Sequence, residues 1–564
     1  MRYIWLTLLF LGTFQTIAQT NGQENSLDFL IRNHLEPIGP GERRKIEGTY
    51  LYSTVVISRF YENRAFHPAW IENEKPKERA YEMRYEIRQA QFDGLQPEDY
   101  HLVALDQLFS KIESDRKSGK DPSLNDLATL DLLLTDAYIL LSSHLYLGKV
   151  NPDNLTVAWN IQRSAPDLRI DQRLEKALQE ENIRKSLEAL YPSFSIYKKM
   201  RDGLRQLYGY LDKYKNNNAT EWKALKLERS IKPDDSHPLI PEIRKRLTFW
   251  GMTTEYTPED IQRYDSLLRD GVKKFQRMHG LEPDGVIGQG TIQAFNQTPN
   301  NLIIAARVNL ERLRWLPDSL KLKEEELIVV NTANFQLDYI HKRDTLLSSR
   351  VIVGKTMHST PQFDAEMSYI VFSPTWTVPS SITRKEIIPL VKRNPYYLAK
   401  NHMKILANNG AEIPASSIDW SKVSARTFPY TIRQEPGEDN ALGLVKFMFP
   451  NKHSVYIHDT PARSLFERED RALSHGCIRI QKPFELAKLL LSFDPSWTDE
   501  KIREHMSLPK EKTVMLDRKI PVVVLYLTYW ADSKGDYYFR KDLYSRDAEI
   551  YNLLRSGKVG KSGI

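Results

Sequence analysis

The sequence is short of cysteine: Cys477 is the only one in 564 residues, which excludes any disulfide within the chain. It also lacks a long uncharged apolar run of the roughly 20 residues that a membrane-spanning helix requires. The most apolar internal stretch, residues 127–147, carries Asp131 and Asp136, which indicates a buried helix. No basic run is interleaved with aromatic residues, and 80 basic residues nearly balance 73 acidic ones, so we expect no nucleic-acid partner.

The first residues have the order of an export signal. Arg2 supplies the positive start, residues 4–11 form a short apolar run, and residues 16–18 (Thr-Ile-Ala) offer a small-residue cleavage site. We therefore predict a signal peptide at residues 1–18 and a mature protein exported to the periplasm or cell envelope. An uncleaved N-terminal anchor is the alternative. In an oxidising compartment a lone cysteine is a liability unless its reactivity is used, which draws attention to Cys477.

Hydrophobic periodicity divides the chain into helical and strand-rich parts. Apolar residues recur at helical spacing through the first part, whereas short apolar runs with polar turns begin after residue 325. The fold class predicted is multidomain α+β, with a mostly β domain of sandwich or barrel-like form at the end. The predicted domains are a helical scaffold (26–238), a small helical domain (239–300), a connector (301–325), the β domain (326–545) and a C-terminal tail (546–564).

Two stretches depart from the pattern of their surroundings. Residues 272–296 combine helical runs with a turn-rich loop, and they resemble the three-helix peptidoglycan-binding domain found in many wall hydrolases. A plain helical bundle is the alternative. Residues 381–430 interrupt the strands with helical and loop material, which is typical of a lid or substrate-capping insertion.

The surroundings of Cys477 favour a reactive thiol over a buried structural one. It ends the run Ser-His-Gly-Cys at residues 474–477 and lies two residues before Arg479. An imidazole and a guanidinium nearby favour thiolate, and a glycine lets backbone approach a substrate closely. Two histidines are candidate bases. His475 is too near in sequence for a direct bond along an extended chain, whereas a returning loop can bring His458 across from Cys477 on a neighbouring strand. We predict His458 as the base and His475 as a supporting or oxyanion-side group.

These residues resemble the signature of the L,D-transpeptidases, the YkuD-type catalytic domain. The pattern is a histidine, here His458 in Tyr-Ile-His-Asp-Thr-Pro, followed by Ser-His-Gly-Cys after fifteen residues. Further stretches, 376–379, 433–437 and 440–443, are similar to the large exported members, which combine a helical scaffold, a peptidoglycan-binding domain and a capping loop. The resemblance is strong after residue 325 and weak before residue 240.

The resemblance implies peptidoglycan stem peptides as substrates and a thioester mechanism that forms 3→3 cross-links with release of D-Ala. It implies no metal and no cofactor. Wall-synthesis partners could dock on the N-terminal helical domain. The predicted catalytic residues are Cys477, His458, His475, Gly476 and Asp459. The backbone N–H of Gly476 would join that of Cys477 in an oxyanion hole, and the carbonyl of Asp459 would orient His458. The predicted substrate-binding residues are Arg479, Ser474, Tyr456, Trp376 and Asn440.

Other functions stay open at this stage. The same thioester can be resolved by water, which makes an L,D-carboxypeptidase, or by a protein amine or a D-amino acid. A non-catalytic wall-binding scaffold is a different class, although it would be expected to lack Cys477 or His458. A papain-like protease is disfavoured by the β-rich context and by the histidine preceding the cysteine.

Overall fold

A computed structural model describes most of the chain. The described residues are 26–36, 44–161, 163, 167–180, 182–216, 222–254, 259–318, 320, 326–342, 344–423 and 428–556. The predicted signal peptide, the end of the predicted connector and the last eight residues of the predicted tail lie outside them. The described chain divides into two units, the first built from residues up to 149, 167–192 and 554–556, and the second from 150–163 and 193–553.

The first unit is helical and is organised around one central helix. Its helices are Leu27–Leu35, Thr54–Asn63, Glu78–Gln89, Leu102–Lys117, Leu124–Leu147, Ile170–Gln179 and Ile183–Glu188. Two short antiparallel strand pairs lie between them: Lys45–Ile46 pairs with Thr49–Tyr50, and Ile71–Glu72 pairs with Lys75–Pro76. Helix Leu124–Leu147 is buried without a break from Asp126 to Leu145. Because it is apolar on every side, it forms the core against which the other helices pack. Among the described residues, no helix is long and apolar enough to cross a membrane.

The second unit begins with helices Ser195–Asn216, Ile240–Phe249, Ser266–His279, Gln289–Phe295 and Pro299–Arg314. Helix Ser195–Asn216 therefore belongs with this unit and not with the scaffold helices. Most of the predicted connector is helix Pro299–Arg314, which starts from a capping box between Thr298 and Asn301. Much of the described tail is also a helix, Asp547–Arg555.

A mixed sheet of nine described strands forms the rest of the second unit. In spatial order the strands are Ala472–Ser474, Asp344–Gly354, Ile478–Ile480, Ile457–His458, Val445–Met448, Phe363–Phe372, Lys512–Leu525, Glu326–Asn331 and Gln336–His341. The last strand also pairs with Asp344–Gly354, so the sheet closes on itself in a barrel-like form. Alternate side chains and helices Pro483–Leu491 and Asp499–Met506 fill its core. The fold class predicted from sequence, helical domains followed by a mostly β domain, is confirmed.

The insertion in this sheet has a core and a sheet of its own. Four antiparallel strands, Glu412–Ile413, Met403–Leu406, Thr431–Gln434 and Trp376–Thr377, pack with helical segments Ser380–Ile382, Thr383–Ile387, Ile388–Arg393 and Tyr397–Lys400. The sequence suggested only helix and loop between residues 381 and 430. The strands were missed because each is two to four residues long and is paired within the insertion.

Candidate active site

Three adjacent strands determine which side chains of the catalytic region share a face. Lys446 lies opposite His458 in an antiparallel pair, and His458 lies opposite Arg479 in a parallel pair. Successive side chains in a strand point to opposite faces. Ile457 and Ile478 point into the core, so Lys446, His458 and Arg479 share the face that points away from it. Cys477, two residues before Arg479, is thus the diagonal neighbour of His458 on the opposite face. The sequence predicted His458 directly across from Cys477, whereas the register pairs it with Arg479, two residues further on. Diagonal neighbours at this offset are still within reach of aromatic side chains.

His458 is buried and its orientation is fixed by the backbone. Its Nδ1 lies 2.5 Å from the carbonyl oxygen of Asp459. A carbonyl can only accept a hydrogen bond, so Nδ1 carries the proton and Nε2 keeps a free lone pair. Burial, followed by the charge of Arg479, lowers the pKa of His458 to about 3, against the opposing effect of the Asp459 and Leu442 carbonyls. At neutral pH the ring is therefore a neutral base with Nε2 available.

Asp459 contributes its carbonyl to the site and its carboxylate to the fold. The buried carboxylate accepts hydrogen bonds from the backbone N–H of Leu444 at 2.9 Å and from Nη2 of Arg463 at 2.5 Å. Gly443 has φ of +62°, and a Cβ there would lie 2.4 Å from the Asp459 carboxyl group. Only glycine fits at that position, because both the backbone conformation and the close approach exclude a side chain.

Cys477 is partly exposed. Burial by the surrounding protein raises the pKa of Cys477, and hydrogen bonds from Tyr456 and the charges of Lys446 and Arg479 only partly offset that effect. The sequence predicts that the nearby guanidinium favours the thiolate, and Arg479 does so. The larger effect of burial depends on tertiary packing, which the local sequence does not report. A thiol of this kind needs a general base to become a nucleophile.

The Ser-His-Gly-Cys run is held by its own hydrogen bonds. Ser474 Oγ donates to the Cys477 carbonyl at 2.6 Å and accepts from the Gly476 N–H at 3.1 Å, while Thr360 Oγ1 donates to the Gly476 carbonyl at 2.9 Å. Gly476 has φ of +121°, a conformation that favours glycine. Buried Ser474 therefore positions the turn, and the Gly476 N–H, which the sequence predicted for the oxyanion hole, is already bonded to Ser474. The Cys477 N–H has no acceptor among the described residues.

His475 turns away from the nucleophile and toward the insertion. Its Nε2 lies 2.6 Å from Oε1 of Glu386, and its ring centre is 5.9 Å from that of His358. In the described part of the chain, no hydrogen bond joins His475 to Cys477. The side chain therefore links the nucleophile turn to the insertion, as a supporting group.

The remaining predicted substrate residues have different environments. Tyr456 and Arg479 lie beside Cys477, and Nε of Arg479 is buried without a partner among the described residues. Trp376 is half-buried against the core of the insertion. Asn440 is buried, and its amide donates to the carbonyls of Pro374 and Glu435 at 3.0 and 2.9 Å while its Oδ1 accepts from the Leu442 N–H at 2.8 Å.

Asn440 is thus a structural residue and not the predicted substrate contact. Its hydrogen bonds tie together the two chain segments that join the insertion to the sheet. Sequence reasoning could not separate the two roles, because an asparagine in a loop suits either and only its burial decides.

Sequence reasoning missed Lys446. Its Nζ lies 5.2 Å from the ring centre of Tyr456, its pKa is lowered by burial, and its charge favours the Cys477 thiolate. The signal was present in Val-Lys-Phe-Met at residues 445–448: a lysine alternating with core residues in a strand must project from the opposite face.

Three family models match successive parts of the chain. Residues 325–523 match the L,D-transpeptidase catalytic domain, residues 236–295 a "Putative peptidoglycan binding domain", and residues 56–204 a scaffold domain. The Cys477 site lies within the first of these matches.

A curated relative and two solved structures are similar to the chain. A protein of Haemophilus influenzae named "Putative L,D-transpeptidase" is 34% identical over 297 residues, which are 52% of this chain and 59% of that protein. The chain therefore matches less than two thirds of that relative's length.

The structures are crystal structures of L,D-transpeptidases. The one from Xylanimonas cellulosilytica (residues 123–326) aligns with 53% of this chain and 100% of its own at 11% identity, with a TM-score of 0.17. The one from Stackebrandtia nassauensis aligns with 52% of this chain and 97% of its own at 12% identity, with a TM-score of 0.20. Identities and TM-scores this low support no conclusion about the fold or function of this chain.

Proposed function

We propose that this protein is a cysteine-dependent L,D-transpeptidase that cross-links peptidoglycan stem peptides, since residues 325–523 match the L,D-transpeptidase catalytic domain. The observation that carries the proposal is the placement of the chain's only cysteine as the diagonal neighbour of a neutral, oriented histidine on one face of the sheet. The peptidoglycan-binding match at residues 236–295 supports peptidoglycan as the substrate.

The first half-reaction makes a thioester. His458 Nε2 takes the proton of the Cys477 thiol as the sulfur attacks the carbonyl of the diamino acid, the penultimate residue of a tetrapeptide stem. The tetrahedral intermediate then collapses, the C–N bond to D-Ala breaks, and the proton on Nε2 passes to the leaving amine. Arg479, Lys446 and Tyr456 stabilise the sulfur while it carries negative charge.

Negative charge also develops on the carbonyl oxygen of the substrate. The Cys477 N–H is the candidate donor for it, because the neighbouring Gly476 N–H is already bonded to Ser474. One preorganised donor of this kind contributes about 2.7–4 kcal/mol to the lowering of the barrier. Holding the turn rigid, through Ser474 and Thr360, keeps that donor in place before substrate arrives.

The second half-reaction resolves the thioester. The side-chain amine of a second stem attacks the thioester carbonyl, His458 accepts a proton from the amine, and the thiol is restored as a 3→3 cross-link forms. Water in place of the amine would give a tripeptide and make the protein an L,D-carboxypeptidase. Glu386 and His475 connect the insertion to the nucleophile turn, so the insertion is suited to excluding water at this step.

The location and partners follow from the proposed substrate. The signal-like N-terminus supports export to the periplasm or cell envelope, where peptidoglycan lies. The helical region that matches a scaffold domain at residues 56–204 is the candidate surface for other wall-synthesis proteins.

Product analysis tests the proposal. The full chain is incubated with purified disaccharide-tetrapeptide, and the products are separated and weighed by mass spectrometry. We expect a cross-linked dimer together with free D-Ala, and neither product with Cys477→Ala. Tripeptide monomer alone would identify a carboxypeptidase. If D-Ala is not released and a carbapenem does not acylate Cys477, the protein is a wall-binding scaffold.

A further inference from the structure

A large cleft lies away from the Cys477 site. It has a volume of about 1260 Å³, and neither Cys477 nor His458 lines it. One wall is formed by helix Gln289–Phe295 and residues 277–282 of the helical domain, and the other by strand residues 348–350 and loop residues 467–471 of the catalytic region. This volume exceeds the 300–1,000 Å³ or so that is usual for small-molecule pockets, which favours part of a polymer as the occupant.

Two arginines in the cleft have no carboxylate partner among the described residues. Arg471 donates to the backbone carbonyls of Val351 and Arg468 at 3.3 and 2.7 Å. Arg540 donates to Asn334 Oδ1 at 2.7 Å and to the carbonyl of Phe539 at 2.6 Å. Neutral acceptors hold both guanidinium groups in position but do not neutralise their charge.

The two guanidinium groups are half-buried and repel each other. Burial lowers the pKa of Arg471 to about 10, and burial together with the charge of Arg471 lowers the pKa of Arg540 to about 10. Both groups stay cationic at pH 7. Glu467, Glu282 and Asp470 raise the pKa of Arg471, but by less than burial and Arg350 lower it. Two half-buried guanidinium groups without a paired carboxylate in the described part of the chain therefore create a site that an anion would stabilise.

Several carboxylates along the cleft are already engaged. Glu467 pairs with Arg350 at 2.8 Å, and Asp547 pairs with Arg312 at 2.7 Å. Both carboxylates therefore pair with other arginines, although Glu467, together with Glu282 and Asp470, still partly offsets the charge of Arg471.

We propose that this cleft is a second peptidoglycan site, in which Arg471 and Arg540 bind a carboxylate of a stem peptide that is not the one reacting at Cys477. The proposal rests on the proposed function, because it takes peptidoglycan as the polymer. A guanidinium group binds a carboxylate with two parallel hydrogen bonds, and one wall of the cleft belongs to the region that matches a peptidoglycan-binding domain. The loop that carries Arg471 continues into strand Ala472–Ser474 and then Cys477, so a wall strand held in the cleft is tethered to the catalytic region.

Binding to isolated sacculi tests this site without turnover. The full chain with Cys477→Ala is mixed with intact sacculi and with sacculi from which an amidase has removed the stem peptides. Arg471→Gln removes the charge, Arg471→Lys keeps it, and Gln293→Trp places an indole in the cleft from an exposed helical position. The matched controls are Arg229→Gln and Gln206→Trp, both exposed and outside the cleft.

We expect Arg471→Gln to weaken binding to intact sacculi about tenfold, since hydrogen bonds between charged groups are lost, and Arg471→Lys to weaken it less. Gln293→Trp should weaken it by a similar factor because the indole fills the cleft, and the controls should be unchanged. Binding to stripped glycan should not differ among the variants. Unchanged binding of both cleft variants to intact sacculi, or an equal loss on stripped glycan, would overturn the proposal. If thermal melting shows that Arg471→Gln is unfolded, Gln293→Trp decides.

The rate of Cys477 acylation by a carbapenem separates this proposal from the proposed function. The cleft variants with Cys477 restored should be acylated as fast as the unsubstituted protein. Absence of acylation in the unsubstituted protein would contradict the proposed catalysis and leave the sacculus binding to be judged on its own.

Discussion

Two buried carboxylates of the scaffold helices, Asp131 and Asp136, differ in their hydrogen bonding from the polar groups at the Cys477 site. In helix Leu124–Leu147, the Asp131 carboxylate accepts from the backbone N–H groups of Ala69 and Trp70 at 2.9 and 2.7 Å and from the Tyr61 hydroxyl. Asp136 accepts in the same way from the Ser53 N–H at 2.8 Å and faces His101 Nε2 at 2.7 Å. These carboxylates have full sets of partners and anchor the loops around the helix.

The catalytic face leaves its polar groups only partly satisfied. The Cys477 N–H and Arg479 Nε have no partners among the described residues, and His458 uses one ring nitrogen on the backbone while Nε2 keeps its lone pair. The comparison teaches that burial of a polar group does not itself mark function. Buried polar atoms without a partner in the described part of the chain also occur in helix Leu124–Leu147, at Thr129 and Ser142. The Cys477 site differs because its unpartnered group, Arg479 Nε, lies beside a cysteine and near a histidine that the backbone orients.

Removal of the base should give the largest effect on activity. His458→Ala should slow Cys477 acylation by about 10²–10⁴-fold, the usual contribution of a general base. His475→Ala, which removes a group bonded to Glu386, should slow it less. The measurement is the rate of acylation by a carbapenem, followed by intact-protein mass, and the reverse order of the two variants would show that His475 is the base.

Removal of a satisfied carboxylate should instead affect stability. Asp131→Ala leaves two buried N–H groups and the Tyr61 hydroxyl without an acceptor, so we expect the free energy of unfolding to fall by about 3 kcal/mol or more. Denaturant unfolding of Asp131→Ala and of Cys477→Ala provides the matched measurement. A loss for Cys477→Ala as large as that for Asp131→Ala would contradict the distinction between the two regions.

The sequence was enough to locate the site but not to describe its chemistry. Two short motifs and the only cysteine coincide at His458 and Cys477, and alternation along the strands predicts that both lie on one face, which agrees with the register. The direction of the Cys477 pKa shift and the structural role of Asn440 depend on what the tertiary fold packs around each side chain. Neither the sign of a desolvation effect nor the partner of a loop amide is encoded in neighbouring residues.

A smaller effect concerns the ionisation of the nucleophile. Tyr456→Phe removes a side-chain hydrogen bond that lowers the pKa of Cys477, so that pKa should rise. The midpoint of iodoacetamide alkylation against pH measures it. Tyr396→Phe, at an exposed position of the insertion, should leave the midpoint unchanged.

A separate effect concerns the pH dependence of stability. The pKa of His458 is about 3 in the folded chain, below its ordinary value of 6.5. Between pH 6.5 and pH 3, His458 is therefore protonated in the unfolded chain but neutral in the folded chain. His458 therefore lowers stability as pH falls from about 6.5 toward 3, and has no such effect above that window. His458→Asn should flatten the fall of the melting temperature between pH 6.5 and pH 4, whereas exposed His402→Asn should not. Equal slopes in both variants would mean that His458 is not held neutral.

The central claim is that Cys477 forms a thioester with the donor stem. The most direct measurement is the intact mass of the full chain after brief incubation with disaccharide-tetrapeptide, with peptide mapping of any adduct. The account predicts a single adduct on Cys477 with the mass of the donor less D-Ala, absent in Cys477→Ala and greatly delayed in His458→Ala. An adduct that persists in Cys477→Ala, or release of D-Ala by that variant, would contradict it.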